Sequence, residues 1–98
     1  MLVRIVKMSF EASKIEVFLK NFNAHKEAIR NFEGCSFLEL YQDRNKKHIF
    51  FTYSYWNSEE DLNAYRNSAL FKQVWSKTKL YFNAKPEAWS VNKVATLN

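Results

Sequence analysis

The side chains that could do chemistry in this chain are few and far apart. Two histidines, His25 and His48, one cysteine, Cys35, and an acidic trio, Glu59, Glu60 and Asp61, are the candidates for acid–base, nucleophilic or metal chemistry. A metal centre gathers three or four donors at short, characteristic spacings, which these residues do not offer. The acidic trio follows Ser58 and reads as helix-start charge, where carboxylates meet exposed N–H groups and the positive end of the helix dipole. Cys35 follows the only glycine, Gly34, without a neighbouring cationic motif, so it reads as a small buried hydrophobe rather than a nucleophile. His25 falls on an apolar helical line and reads as a core or core-edge residue. His48 opens an aromatic segment on the parity of Trp56, where an imidazole would serve as acid or base. Solvent exposure at a strand end is the competing reading. With one glycine in the chain, no glycine-rich phosphate loop can form, which excludes nucleotide cofactors held in that way.

The aromatic content is the stronger signal. Nine Phe, five Tyr and three Trp make up 17% of the residues, more rings than one small core holds, so some must face a partner or a cavity. Trp56, Phe71 and Trp75 are candidates for the walls of an apolar substrate site, against the ordinary reading of such rings as core. Tyr65 adds a phenol able to hydrogen-bond a ligand oxygen.

Elements to position these residues follow from the periodicities. Residues 2–8 put Leu2, Val6 and Met8 on one parity and Val3 and Ile5 on the other, as in a strand with both faces covered. From Glu11 to about Asn31, Ile15, Phe18, Phe22, His25, Ile29 and Phe32 recur at spacings of three and four, which predicts a helix with one face on a sheet. Gly34 supplies a left-handed stop, and Cys35 to Asp43 reads as a second strand. Arg44, Lys46 and Lys47 form a solvated hairpin turn, and residues 48–56 form the most sheet-prone segment of the chain. Two short helices follow, one capped by Ser58 and one starting near Ser68, and Pro86 admits a last strand through Trp89 and Val91. The order βαββααβ is the ferredoxin-like α+β plan, a four-stranded antiparallel sheet with helices on one face, in a single domain over residues 1–98.

Composition bounds the setting. A lone cysteine closes no intrachain disulfide, no apolar run approaches membrane-span length, and Arg4 and Lys7 interrupt any signal-peptide core, so a cytoplasmic protein is expected. The net charge of +5 raises nucleic acid as a partner, but the basic residues are scattered along the chain. The pattern leaves one problem: strands 2 and 3 carry apolar residues on both parities, and helices cover only one sheet face. A second copy packed through Phe51, Tyr53 and Tyr55, or through their opposite-face counterparts, would cover the other, which makes an obligate homodimer the expected assembly. RNA stacking on the same rings is the competing expectation. It lacks the glycine-containing aromatic motif of RNA-recognition domains.

Two segments carry a more specific likeness. Glu33, Gly34 and Cys35 at the opening of strand 2, and Tyr55, Trp56, Asn57, Ser58, Glu59, Glu60, Asp61 and Leu62 joining strand 3 to the next helix, resemble the antibiotic biosynthesis monooxygenase family. The spacing of Ser68 and Phe71 extends the likeness. The resemblance implies a dimeric α+β barrel and, for some members, oxidation of phenols or quinols without a cofactor. It implies a pocket-facing role for Trp56. Where quinol-oxidising members have His-x-x-Ser-x-His-Phe, this chain runs Tyr65, Arg66, Asn67, Ser68, Ala69, Leu70 and Phe71, so both histidines are absent. Where haem-degrading members have an axial histidine, Trp75 stands instead, and their strand 1 asparagine has no counterpart among Arg4, Ile5, Val6 and Lys7. The expectation is therefore a cofactor-independent monooxygenase-like homodimer acting on a small aromatic phenol or hydroquinone. His48 and Tyr65 are its catalytic candidates, and Trp56, Phe71 and Trp75 its substrate-binding candidates. A non-catalytic ligand-binding dimer of the same fold is the alternative.

Overall fold

A computed structural model describes residues 1–98. The elements are β1 (Leu2–Ser9), α1 (Ile15–Arg30), β2 (Cys35–Gln42), β3 (Ile49–Trp56), α2 (Glu59–Arg66), α3 (Ala69–Thr78) and β4 (Glu87–Asn92), with 3₁₀ turns at Ala12–Lys14 and Lys79–Tyr81. The four strands form one sheet in the order β2-β3-β1-β4, and every neighbouring pair is antiparallel. This is the α+β ferredoxin-like arrangement expected from the element order.

Local chemistry explains where the elements begin and end. Ser58 and Ser68 cap α2 and α3, their hydroxyls accepting from the N–H groups of Asp61 and Phe71. No side chain caps the start of α1, and the chain enters it through a 3₁₀ turn, so the α-helix begins at Ile15, the first residue of the apolar periodicity, rather than at Glu11. Gly34 adopts φ +89°, the left-handed conformation that suits glycine, and a side chain there would also overlap that of Asp61.

Strand parity divides the residues between two faces. Met8, Phe10, Phe18 and Phe50 are buried together beneath the helices, and Phe10 stacks on Phe18 at 4.1 Å between ring centroids. Each such ring contributes roughly 1.5–3 kcal/mol when buried. A second cluster joins Cys35, Trp56 and Leu62. On the opposite side of the sheet Phe37 stacks on Tyr55, Tyr41 meets Tyr53 edge to face, and Lys93 lies over the Tyr55 ring at 4.3 Å. No helix packs on this second face, where Tyr41, Trp89 and Val91 are exposed. No helix is long and apolar enough to cross a membrane.

Candidate functional site

Between the sheet and the helices lies a partly enclosed cavity of about 290 Å³. Its existence follows from side-chain size on the helix-facing parity. In the register of the sheet, Leu38, Ser54, Arg4 and Ser90 lie side by side, as do Leu40, Thr52, Val6 and Ala88. Small residues at Thr52, Ser54 and Ala88 lower the floor. Phe18 and Phe22 of α1, Tyr65 of α2, and Phe71 and Trp75 of α3 line the space above it. Close packing would fill a gap between equal-sized residues. Here the bulk sits in the walls and the floor is left low.

Four of the five residues singled out from sequence converge on this space: Trp56, Tyr65, Phe71 and Trp75 all line it. Trp56 is 1% exposed, and its indole Nε1–H donates to the buried Ser54 hydroxyl at 2.9 Å. Its polar atom is thus already engaged, and it borders the cavity as apolar surface packed against Tyr65 and Phe32. Tyr65 stacks on Trp56 with centroids 5.0 Å apart and meets Phe32 and Phe71 edge to face at 5.4 and 5.2 Å. Burial, with a smaller contribution from Cys35, pushes its phenol up to about 12. A phenol held protonated donates hydrogen bonds and is a poor base. Phe71 and Trp75 are stacked, 15° between planes.

His48 is not part of this assembly. It sits in the hairpin turn outside β3, its carbonyl accepts from the Phe10 N–H at 2.9 Å, and it does not line the cavity. The parity that aligned it with Trp56 extends one residue beyond the strand, because the Asp43 N–H donates to the Ile49 carbonyl and the Ile49 N–H to that of Lys46, closing the ladder at Ile49. His25, on α1, has Nδ1 against the Asn21 carbonyl oxygen at 2.8 Å, also away from the cavity. Cys35 is buried, and burial pushes its thiol up from its ordinary value.

The antibiotic biosynthesis monooxygenase family model matches residues 1–76. The chain belongs to the antibiotic biosynthesis monooxygenase family. Solved structures agree on the fold. An antibiotic biosynthesis monooxygenase superposes with a TM-score of 0.91 at 16% identity, covering 97% of this chain and 100% of its own. A conserved protein from Methanosarcina mazei gives 0.88 at 21% identity over 95% and 93%, and a protein from Pseudomonas aeruginosa gives 0.85 at 19% over 96% and 94%. At such identities the likeness establishes fold and leaves chemistry to the site. None of the curated proteins matches the chain by sequence.

Within this family member, three charged cavity residues escaped the reading of the sequence: Arg4, Arg66 and Glu87. Arg4 looked like one of many scattered cations. The signal lay in its parity, since it shares the helix-facing side of β1 with Val6 and Met8, where an unpaired charge is expensive.

Proposed function

We propose that the cavity binds a small aromatic phenol or hydroquinone and that the protein is a cofactor-independent monooxygenase acting as a homodimer. The observation that supports this most is the aromatic cavity of about 290 Å³, into which Trp56, Tyr65, Phe71 and Trp75 converge. Such a site excludes water from an electron-rich ring, and Tyr65, protonated at neutral pH, donates to its oxygen substituent. The substrate itself reduces dioxygen. A phenol unsubstituted at the para carbon gives up its proton, and the phenolate passes one electron to dioxygen. The two radicals join at that carbon. The hydroperoxide so formed loses water to leave a para-quinone, with one oxygen atom as the new ring carbonyl, the other in water, and all four electrons drawn from the substrate. A hydroquinone instead passes two electrons and two protons to dioxygen, giving quinone and hydrogen peroxide. With His48 outside the cavity, the proton leaves through Glu87, the one carboxylate of the lining, or through water.

Oxygen consumption by the purified protein, with a panel of naphthols and hydroquinones and no added flavin or metal, tests this reading. Uptake well above a boiled control is expected. The absence of histidine from the cavity lining favours the second reading, a ligand-binding dimer without turnover. Tight binding of the same compounds without oxygen uptake would establish that reading in place of the first.

A further inference from the structure

Two arginines line the cavity, and neither is paired with a carboxylate. Arg4 projects from the middle of β1 on the helix-facing side, half-buried, and its Nη1 donates to the neutral Ser90 hydroxyl at 3.0 Å. Arg66 closes the last turn of α2 and reaches the exposed rim. Besides these and Tyr65, the only titratable residue of the lining is Glu87, exposed at the outer edge on β4. The charge that acts on Arg4 is the like charge of Arg66, which together with the larger effect of burial lowers its pKa. A guanidinium nonetheless stays protonated, so the charge must be borne or neutralised. In the empty protein, a half-buried cation repelled by a second one costs free energy that an incoming anion would return.

We propose that the natural ligand is a small aromatic acid, a hydroxyaryl carboxylate, held by Arg4 and Arg66 through its carboxylate while its ring lies among Tyr65, Phe71 and Trp75. Counting Glu87, the lining carries one net positive charge, the complement of a monoanion. A planar guanidinium fork matches a carboxylate in shape as well as charge. The inference rests on the cavity being the ligand site, as argued above, and is independent of whether turnover follows.

Titration calorimetry with three probes tests it on the full-length protein: 1-hydroxy-2-naphthoate, 2-naphthoate and neutral 1-naphthol. Charge-assisted hydrogen bonds are worth enough that both acids should bind about tenfold or more tightly than 1-naphthol. The advantage should shrink as salt is raised. R4M and R66M should each bring the acid-to-naphthol ratio down toward one, with R4K intermediate, while circular dichroism verifies the fold. Equal or tighter binding of 1-naphthol to the unsubstituted protein overturns the proposal, as does an undiminished ratio in both Met variants or binding of none of the three. Oxygen uptake without a preference for the acids removes this inference and leaves the oxygenase reading standing. A preference for the acids without uptake does the reverse.

Discussion

Trp56 keeps its N–H for Ser54 while its ring stacks on Tyr65, and that single hydrogen bond ties a cavity wall to the sheet. Ser54→Ala would leave a buried indole N–H without a partner. Denaturant unfolding should show a loss of about 1–3 kcal/mol, the cost of stranding such a donor; an unchanged midpoint would mean that water replaces the hydroxyl. Tyr65 gives a pH-dependent counterpart. Its folded-state value of about 12 lies above the ordinary tyrosine value of 10. Below pH 10 both folded and unfolded chains hold the proton, and no stability depends on it. Between pH 10 and 12 only the unfolded chain sheds it, so stability falls across that window, by about 2 kcal/mol from this residue. Tyr41, raised through its hydrogen bond to Glu39 on the exposed face, acts in the same direction. The measurement is therefore a comparison: urea midpoints at pH 9 and 11 should converge more in Tyr65→Phe than in the unsubstituted protein.

At the scale of elements, α3 carries Phe71, Val74 and Trp75 to the cavity, and its start depends on the Ser68 hydroxyl. Ser68→Ala should destabilise the protein by about 1 kcal/mol and weaken ligand binding in parallel, because the capped turn includes Phe71. Gly34→Ala should cost more than about 1 kcal/mol, since it adds left-handed backbone strain to an overlap with Asp61 at the start of α2; thermal melting checks both variants. These elements were legible because spacings of two, three and four residues map directly onto faces. Trp56, Phe71 and Trp75 were nominated instead from the excess of aromatic rings, and Trp56 also from the family likeness. Boundaries were less legible. Where the β2–β3 ladder closes depends on hydrogen bonds among Asp43, Lys46 and Ile49, which hydropathy does not encode, and His48 was misplaced by one residue as a result. The pairing of Arg4 with Arg66 was illegible for another reason. It joins the middle of β1 to the end of α2, and only tertiary packing creates that proximity.

The whole molecule exposes 6649 Å², more than the roughly 5,900 Å² expected of a self-contained domain of its mass. The uncovered sheet face contributes to that excess, together with the exposed residues after β4. A homodimer formed through Tyr53, Tyr55, Trp89 and Val91 should therefore persist at low micromolar concentration, with sedimentation giving about twice the chain mass of 11.7 kDa. Tyr53→Glu, which places a charge in the middle of that face, should shift it toward monomer. A native mass near that of one chain would overturn the dimer and return RNA binding to consideration. The division of labour inside the cavity reaches further than any one measurement. Its walls, Trp56, Phe18 and Met8, are also core, so selection for folding holds them fixed. Thr52 and Ala88 in the floor carry little of that burden. A methyl group added or removed there resizes the space while the frame stays intact, so in lineages sharing this architecture the choice of guest can drift at a few positions that folding leaves free.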